Sequence, residues 1–141
     1  LYAEMIIALL FFVISFAVII RVFASADSLE RRSRQRQSAA LCAQSIAEAY
    51  SVGGDVQKAV SLALGADLRD FTGSAEIGLD SGFYPADSSD VILRLDEQKQ
   101  DTAAGVYSEL AVEFFDNSGD DEELIYSLKC GAYVPGGGAV G

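Results

Sequence analysis

The sequence predicts an α+β protein, a long N-terminal α-helix packed on a small antiparallel β-sheet. Three observations predict it. All 13 glycines and both prolines lie after residue 52. A stretch that long without either main helix breaker reads as one continuous helix. Further along, the apolar spacing changes from about 3.6 to 2, the period of half-buried strands. The charge is also segregated. Residues 1–52 hold five arginines against four acids, net +1, and the remainder holds five bases against 17 acids, net −12. A chain of 141 residues has room for one modest domain.

The helix has two parts. Residues 1–24, LYAEMIIALLFFVISFAVIIRVFA, depart from the hydrophobic set only at Glu4, Ser15 and Arg21. The 16 residues between Glu4 and Arg21 carry no charge and would span roughly 24 Å as a helix. With Val22, Phe23 and Ala24 added and Arg21 snorkelling, the run approaches the roughly 30 Å of a bilayer core. It has no polar face, unlike the core helix of a soluble protein. No basic residue precedes it, unlike a secretory signal peptide. This half is expected to lie in a membrane or a filament core.

Residues 25–52 are expected to form the amphipathic second half. Ala39, Cys42, Ile46, Ala49 and Tyr50 recur at helical spacing and form a stripe that can pack on a globular partner. Between the halves stands Glu30-Arg31-Arg32-Ser33-Arg34-Gln35-Arg36. This cluster is either a solvated helix face or a surface that pairs with acidic neighbours or anionic headgroups. Val52-Gly53-Gly54 signals the end of a helix that would be roughly 78 Å long. A domain of this size cannot bury that length, so something outside the chain must cover much of it.

Residues 53–135 are expected to form an acidic α+β head. Asp55 as N-cap and Gly65 as stop bracket a short second helix. Val91, Leu93 and Leu95 alternate with Ile92, Arg94 and Asp96. Val106, Leu110, Val112 and Phe114 alternate with Tyr107, Glu109, Glu113 and Phe115. Leu124, Tyr126, Leu128 and Cys130 alternate with Ile125, Ser127 and Lys129. These read as strands of an antiparallel sheet, the last two joined at Asn117-Ser118-Gly119-Asp120. A weaker strand is expected near Ala75–Leu79. Residues 136–141 read as a flexible tail.

Cys42 on the helix stripe and Cys130 on the inward face of the last strand point at the same core. They are expected to form a disulfide closing a loop of roughly 90 residues, on the order of 4 kcal/mol by loop entropy. Two buried free thiols are the alternative.

The composition excludes several functions. Histidine is absent, which removes His-based acid–base chemistry and His metal ligation. Two cysteines are too few for a Cys-rich zinc site. Net charge −11 argues against nucleic-acid contact. No nucleophile–base pair, phosphate loop or metal-ligand spacing is visible, so no enzyme activity, metal or cofactor is expected. Asp116, Asp120, Asp121, Glu122 and Glu123 could hold Ca²⁺, but their spacing matches no such motif and reads as a solvated turn.

Leu1-Tyr2-Ala3-Glu4-Met5-Ile6-Ile7-Ala8-Leu9-Leu10 resembles the mature N-terminus of type IV pilins and of type II secretion pseudopilins. The layout of a long helix on a small sheet is similar to theirs as well. Two departures stand out: the family's Glu is at the fifth mature position and follows an aromatic first residue, whereas here they are Glu4 and Leu1. Either one mature residue precedes Leu1 or the site is unusual. The resemblance implies a cleaved, methylated N-terminus and a structural subunit of an extracellular helical filament, such as an adhesion pilus. It implies identical subunits, prepilin peptidase and the assembly machinery as partners, with the inner membrane holding the chain before assembly. Glu4 would neutralise the Leu1 α-amine of a neighbour, because an unpaired carboxylate in an apolar segment is costly. Arg31, Arg32, Arg34 and Arg36 would join the assembly surface. The positive-inside rule alone would keep the arginine side cytoplasmic, whereas the resemblance implies a head outside. The alternatives are a monomeric single-pass anchored binding or sensor module, and a pseudopilin of a secretion or DNA-uptake apparatus.

Overall fold

The computed structural model describes residues 1–136. The elements run α1 (Tyr2–Gly53), α2 (Val56–Leu64), β1 (Ser74–Leu79), β2 (Val91–Thr102), β3 (Gly105–Asp116) and β4 (Glu123–Pro135). The four strands form one antiparallel sheet in the order β1-β2-β3-β4. The fold is therefore the expected α+β arrangement. Two compact units divide it, residues 1–35 and residues 36–141. The flexible tail expected at 136–141 lies outside the described residues beyond Gly136.

The first unit is helix alone. From Met5 to Phe23 its large apolar side chains stand exposed, with Met5 at 71% and Phe12 at 74%. None of its most apolar stretch is buried.

In the second unit, α1 contributes Ala39, Ala43, Ile46 and Tyr50 to the core, each with no exposed surface. Their spacings of four, three and four place them on one face. Cys42 and Ala49 pack half-buried at its margins. The helix stops where expected: Gly54 takes φ +64° and its N–H reaches Tyr50 O at 2.7 Å, a conformation that favours glycine. Asp55 then caps α2 by accepting from the Gln57 and Lys58 amides, and Gly65 closes it at φ +67°.

The sheet supplies the other half of the core. Leu93 and Leu95 of β2 face Phe114 and Val112 of β3, with Val91 and Leu110 on the same side of the sheet, all buried. Tyr126, Leu128, Cys130 and Ala132 of β4 continue these rows. Both longer strands run past their apolar stretches. β2 extends through Gln98-Lys99-Gln100-Asp101-Thr102, and β4 reaches Pro135. Pairing rather than burial holds the polar end of β2, whereas β4 keeps Ala132 buried near its end. Leu124 corrects the expected phase. A β-bulge shifts the register between Phe114 and Phe115. It leaves Leu124 49% exposed, while Ile125 packs on the core.

The loop 80–90 guards the edge of β1. Asp80 Oδ1 accepts from the Gly82 and Tyr84 amides, and Leu79 bridges Pro85. Phe83 holds φ +65° and sets its ring against Phe114, centroids 5.6 Å apart. The strained backbone of a bulky residue is offset here by core burial. The loop thereby occupies part of an edge that would otherwise offer unpaired backbone groups.

Candidate functional site

The residues expected to act in assembly fall on α1. Glu4 stands in its first turn, where a carboxylate suits the positive end of the helix dipole. The helix begins with Met5 N–H reaching Leu1 O at 3.3 Å. Leu1 and Glu4 are both exposed. Among the described residues no ion pair joins Glu4 to the Leu1 α-amine within the chain. Around them the helix surface is apolar, with Met5, Ile6, Leu9 and Phe12 all exposed.

Arg31, Arg32, Arg34 and Arg36 are exposed as well. Arg31 Nη2 lies 3.3 Å from Asp27 Oδ2, and Arg34 Nη2 lies 2.6 Å from Glu30 Oε1. These are i,i+4 pairs in water and stabilise the helix by only a few tenths of a kcal/mol each. They leave the stretch 27–36 with four arginines against two acids, net +2.

The expected disulfide is not formed: Cys42 and Cys130 are both free thiols. Both line the core as predicted, but on different rows. Cys130 pairs with Leu110, whose partner on β2 is Glu97, and the helix residue that reaches this row is Tyr50. Cys42 stands eight residues earlier, roughly 12 Å along the axis. A disulfide needs Cα atoms within about 7 Å. Cys130 Sγ instead points to Leu110 O at 3.6 Å. Burial pushes the Cys42 thiol up from about 9 to about 11, and burial followed by the nearby Glu109 charge raises Cys130.

The polar link at the helix–sheet seam escaped the sequence reading. Tyr50 Oη donates to Glu97 Oε1 at 2.9 Å. The Glu97 side chain is only 6% exposed, and Lys99 Nζ lies 3.6 Å from its other oxygen. Burial is the main reason that the Tyr50 hydroxyl is pushed up to about 12, and the Glu97 carboxylate adds to it. The signal was present: Glu97 keeps the two-residue phase of Leu93 and Leu95. A cleft of about 530 Å³ opens beside this link, between Gly54, Asp55, Phe71, Glu97 and Lys99.

On the outer face, Arg94 ties the sheet together. It reaches Glu76 at 2.8 Å and Glu122 at 3.5 Å, and its guanidinium lies 4.5 Å from the Phe115 ring centre. In the acidic turn, Asp116 Oδ1 accepts from the amide and hydroxyl of Ser118. Among the described residues no three acidic or cysteine side chains converge on a point that could hold a metal ion. Compared with protein-family models, curated proteins and solved structures, the chain matches none of them.

Proposed function

We propose that this chain is a structural subunit of an extracellular helical filament of the type IV pilin kind, anchored in the inner membrane before assembly. One observation carries the reading. A single helix exposes an apolar surface from residue 2 to residue 24, and its residues Ala39, Ala43, Ile46 and Tyr50 are buried in the core that the helix shares with an antiparallel sheet. Apolar surface in water is unfavourable by about 25 cal/mol per Å². Lipid covers such a helix before assembly, and sister helices cover it afterwards. A head-to-tail contact that does not close on itself then generates a fibre.

Glu4 favours a filament subunit over a plain anchor. An anchor gains nothing from a carboxylate in its first apolar turn, and among the described residues this carboxylate has no ion pair within the chain. A neighbouring copy's α-amine meets the need. Prepilin peptidase and the pilus machinery are the processing and assembly partners of this reading, which assigns the chain no catalytic role. Its members include adhesion pili, secretion pseudopili and DNA-uptake filaments.

The test is Glu4→Val in cells that make the protein. The variant stays in the membrane fraction, since a charge has been removed from an apolar segment, while sheared surface fibres disappear from electron micrographs. Fibres at the wild-type level would refute the role of Glu4. A wild-type chain that stays in the membrane without forming fibres would instead identify an anchored monomeric module.

A further inference from the structure

Two charged motifs remain unused by this reading: the stretch Asp27–Arg36 on α1 and the acidic turn 116–123. The first carries net +2, and the second holds five acids without a base. The chain as a whole keeps its positive balance only in residues 1–52.

The place of the turn in the second unit follows from the register. Gly54 packs against Val134 and Ala132, and Tyr50 reaches the row of Glu97, Leu110 and Cys130. Tracing α1 backward from Gly54 therefore runs along β4 from Val134 toward Glu123. The β3–β4 turn closes the end of the sheet nearest Ala39, not the end nearest Gly54. In that turn Glu122 is held by Arg94, and Asp120 and Asp121 are exposed with no ion pair among the described residues.

An anionic membrane is the other surface that could attract the arginines, and the charge order disfavours it. Asp27 and Glu30 come first after the apolar run, so they would meet the headgroups before any arginine of this stretch did. Arg34 stands ten residues past Ala24, roughly 15 Å along the helix. Headgroup potential fades within a Debye length, about 8 Å at physiological salt.

We infer that the stretch Asp27–Arg36 of one copy is the docking surface for the β3–β4 turn of a second copy, through Asp120 and Asp121. The inference rests on the filament reading and names a contact within it. The two surfaces are complementary in charge, net +2 on the stretch 27–36 against five acids and no base in the turn 116–123. Rim charges of this kind fix register and partner choice more than they add affinity.

The experiment uses two charge-reversed chains in the same cells. One carries Arg31→Glu, Arg34→Glu and Arg36→Glu, and the other carries Asp120→Lys and Asp121→Lys. All five positions are exposed, and accumulation of each chain in the membrane fraction confirms that it folds and inserts. Each variant alone is expected to yield roughly tenfold fewer sheared fibres than wild type, because like charges then face each other. Co-expression of the two restores fibres to within about twofold, since each variant's reversed surface matches the other's. Three results would overturn the inference: normal fibres from either variant alone, a loss that co-expression does not restore, or failure of the arginine variant to accumulate in the membrane, which would make lipid its partner. A wild-type chain without fibres would remove the filament reading itself. Wild-type fibres unchanged by both sets of substitutions would remove only this interface.

Discussion

Replacing Tyr50 by phenylalanine deletes one hydroxyl and keeps the ring that fills the core. The hydroxyl donates to Glu97 at 2.9 Å, and the carboxylate it serves is only 6% exposed. A hydrogen bond to a charged group contributes about 1.5–3 kcal/mol, and the charge left behind has little access to water. Lys99 is the remaining partner, at 3.6 Å and on an exposed side chain, so it compensates only in part. The expected loss is about 2 kcal/mol near pH 8, or about 10 °C in Tm for a head of this size. The sign of the pH dependence follows from the raised hydroxyl. Its folded value of about 12 lies above its ordinary 10. The folded state therefore holds the proton more tightly than the unfolded chain. That contribution is fully present below pH 10 and is lost as pH rises from about 10 to about 12. Tyr50→Phe lacks this loss, so the gap between variant and wild type narrows across the same window. Urea denaturation of the detergent-solubilised chain, followed by near-UV circular dichroism of the tyrosines, measures both. A variant within 0.5 kcal/mol of wild type, or one that keeps the same alkaline loss, would show that the link does not hold helix to sheet.

Other substitutions follow from the same geometry. At Gly105 a Cβ would run into the backbone of Val134, Pro135 and Gly136, so Gly105→Ala should cost about 2 kcal/mol or more. At Gly131 the nearest obstacle is the far end of the Tyr107 ring, which can swing away, so Gly131→Ala should cost under about 1 kcal/mol; equal midpoints in the same denaturation assay would contradict the packing at β3–β4. The two thiols make a separate prediction. With Cys42 raised to about 11, its thiolate is scarce at pH 8, and a disulfide reagent should modify it roughly a hundredfold more slowly than an ordinary thiol. In guanidinium both thiols should react without prior reduction, and a chain that needs a reductant first would establish a bridge between Cys42 and Cys130.

The fold was legible where a single periodicity governed a whole element. The two-residue phase of β2 and β3 located the sheet core, and the absence of glycine and proline delimited α1. What the sequence hid depended on contacts between elements. Leu124 has the phase of an inward residue, but a bulge one step away turns it outward, and no local signal marks the bulge. Ala43 is as buried as Ile46, yet alanine is equally at home on either face of a helix. The end of β2 beyond Glu97 is polar, and the end of β4 beyond Cys130 carries Gly131 and Pro135, so neither continues the apolar pattern. They are strands because their neighbours supply the other half of each backbone pair. The cysteine pairing failed for a related reason. Periodicity assigns a residue to a face but says nothing of its row, and contacts such as Tyr50–Glu97 and Gly54–Val134 fix which turn of the helix meets which rung of the sheet.

The Tyr50–Glu97 contact also explains how a thin interface can hold α1 to the head. Two of the four fully buried helix residues are alanines, which allow close approach but bury little area of their own. Ile46 and Tyr50 are the large buried side chains on this face of the helix, and Tyr50 adds a directional bond. A ring sliding along an apolar sheet would pack nearly as well one rung away. A hydroxyl tied to one carboxylate would not, because the slip would leave Glu97 buried without its donor. The polar pair thus specifies register at a seam where packing alone specifies it weakly. In the filament proposed above, that register would decide which part of a neighbouring helix the acidic turn could meet.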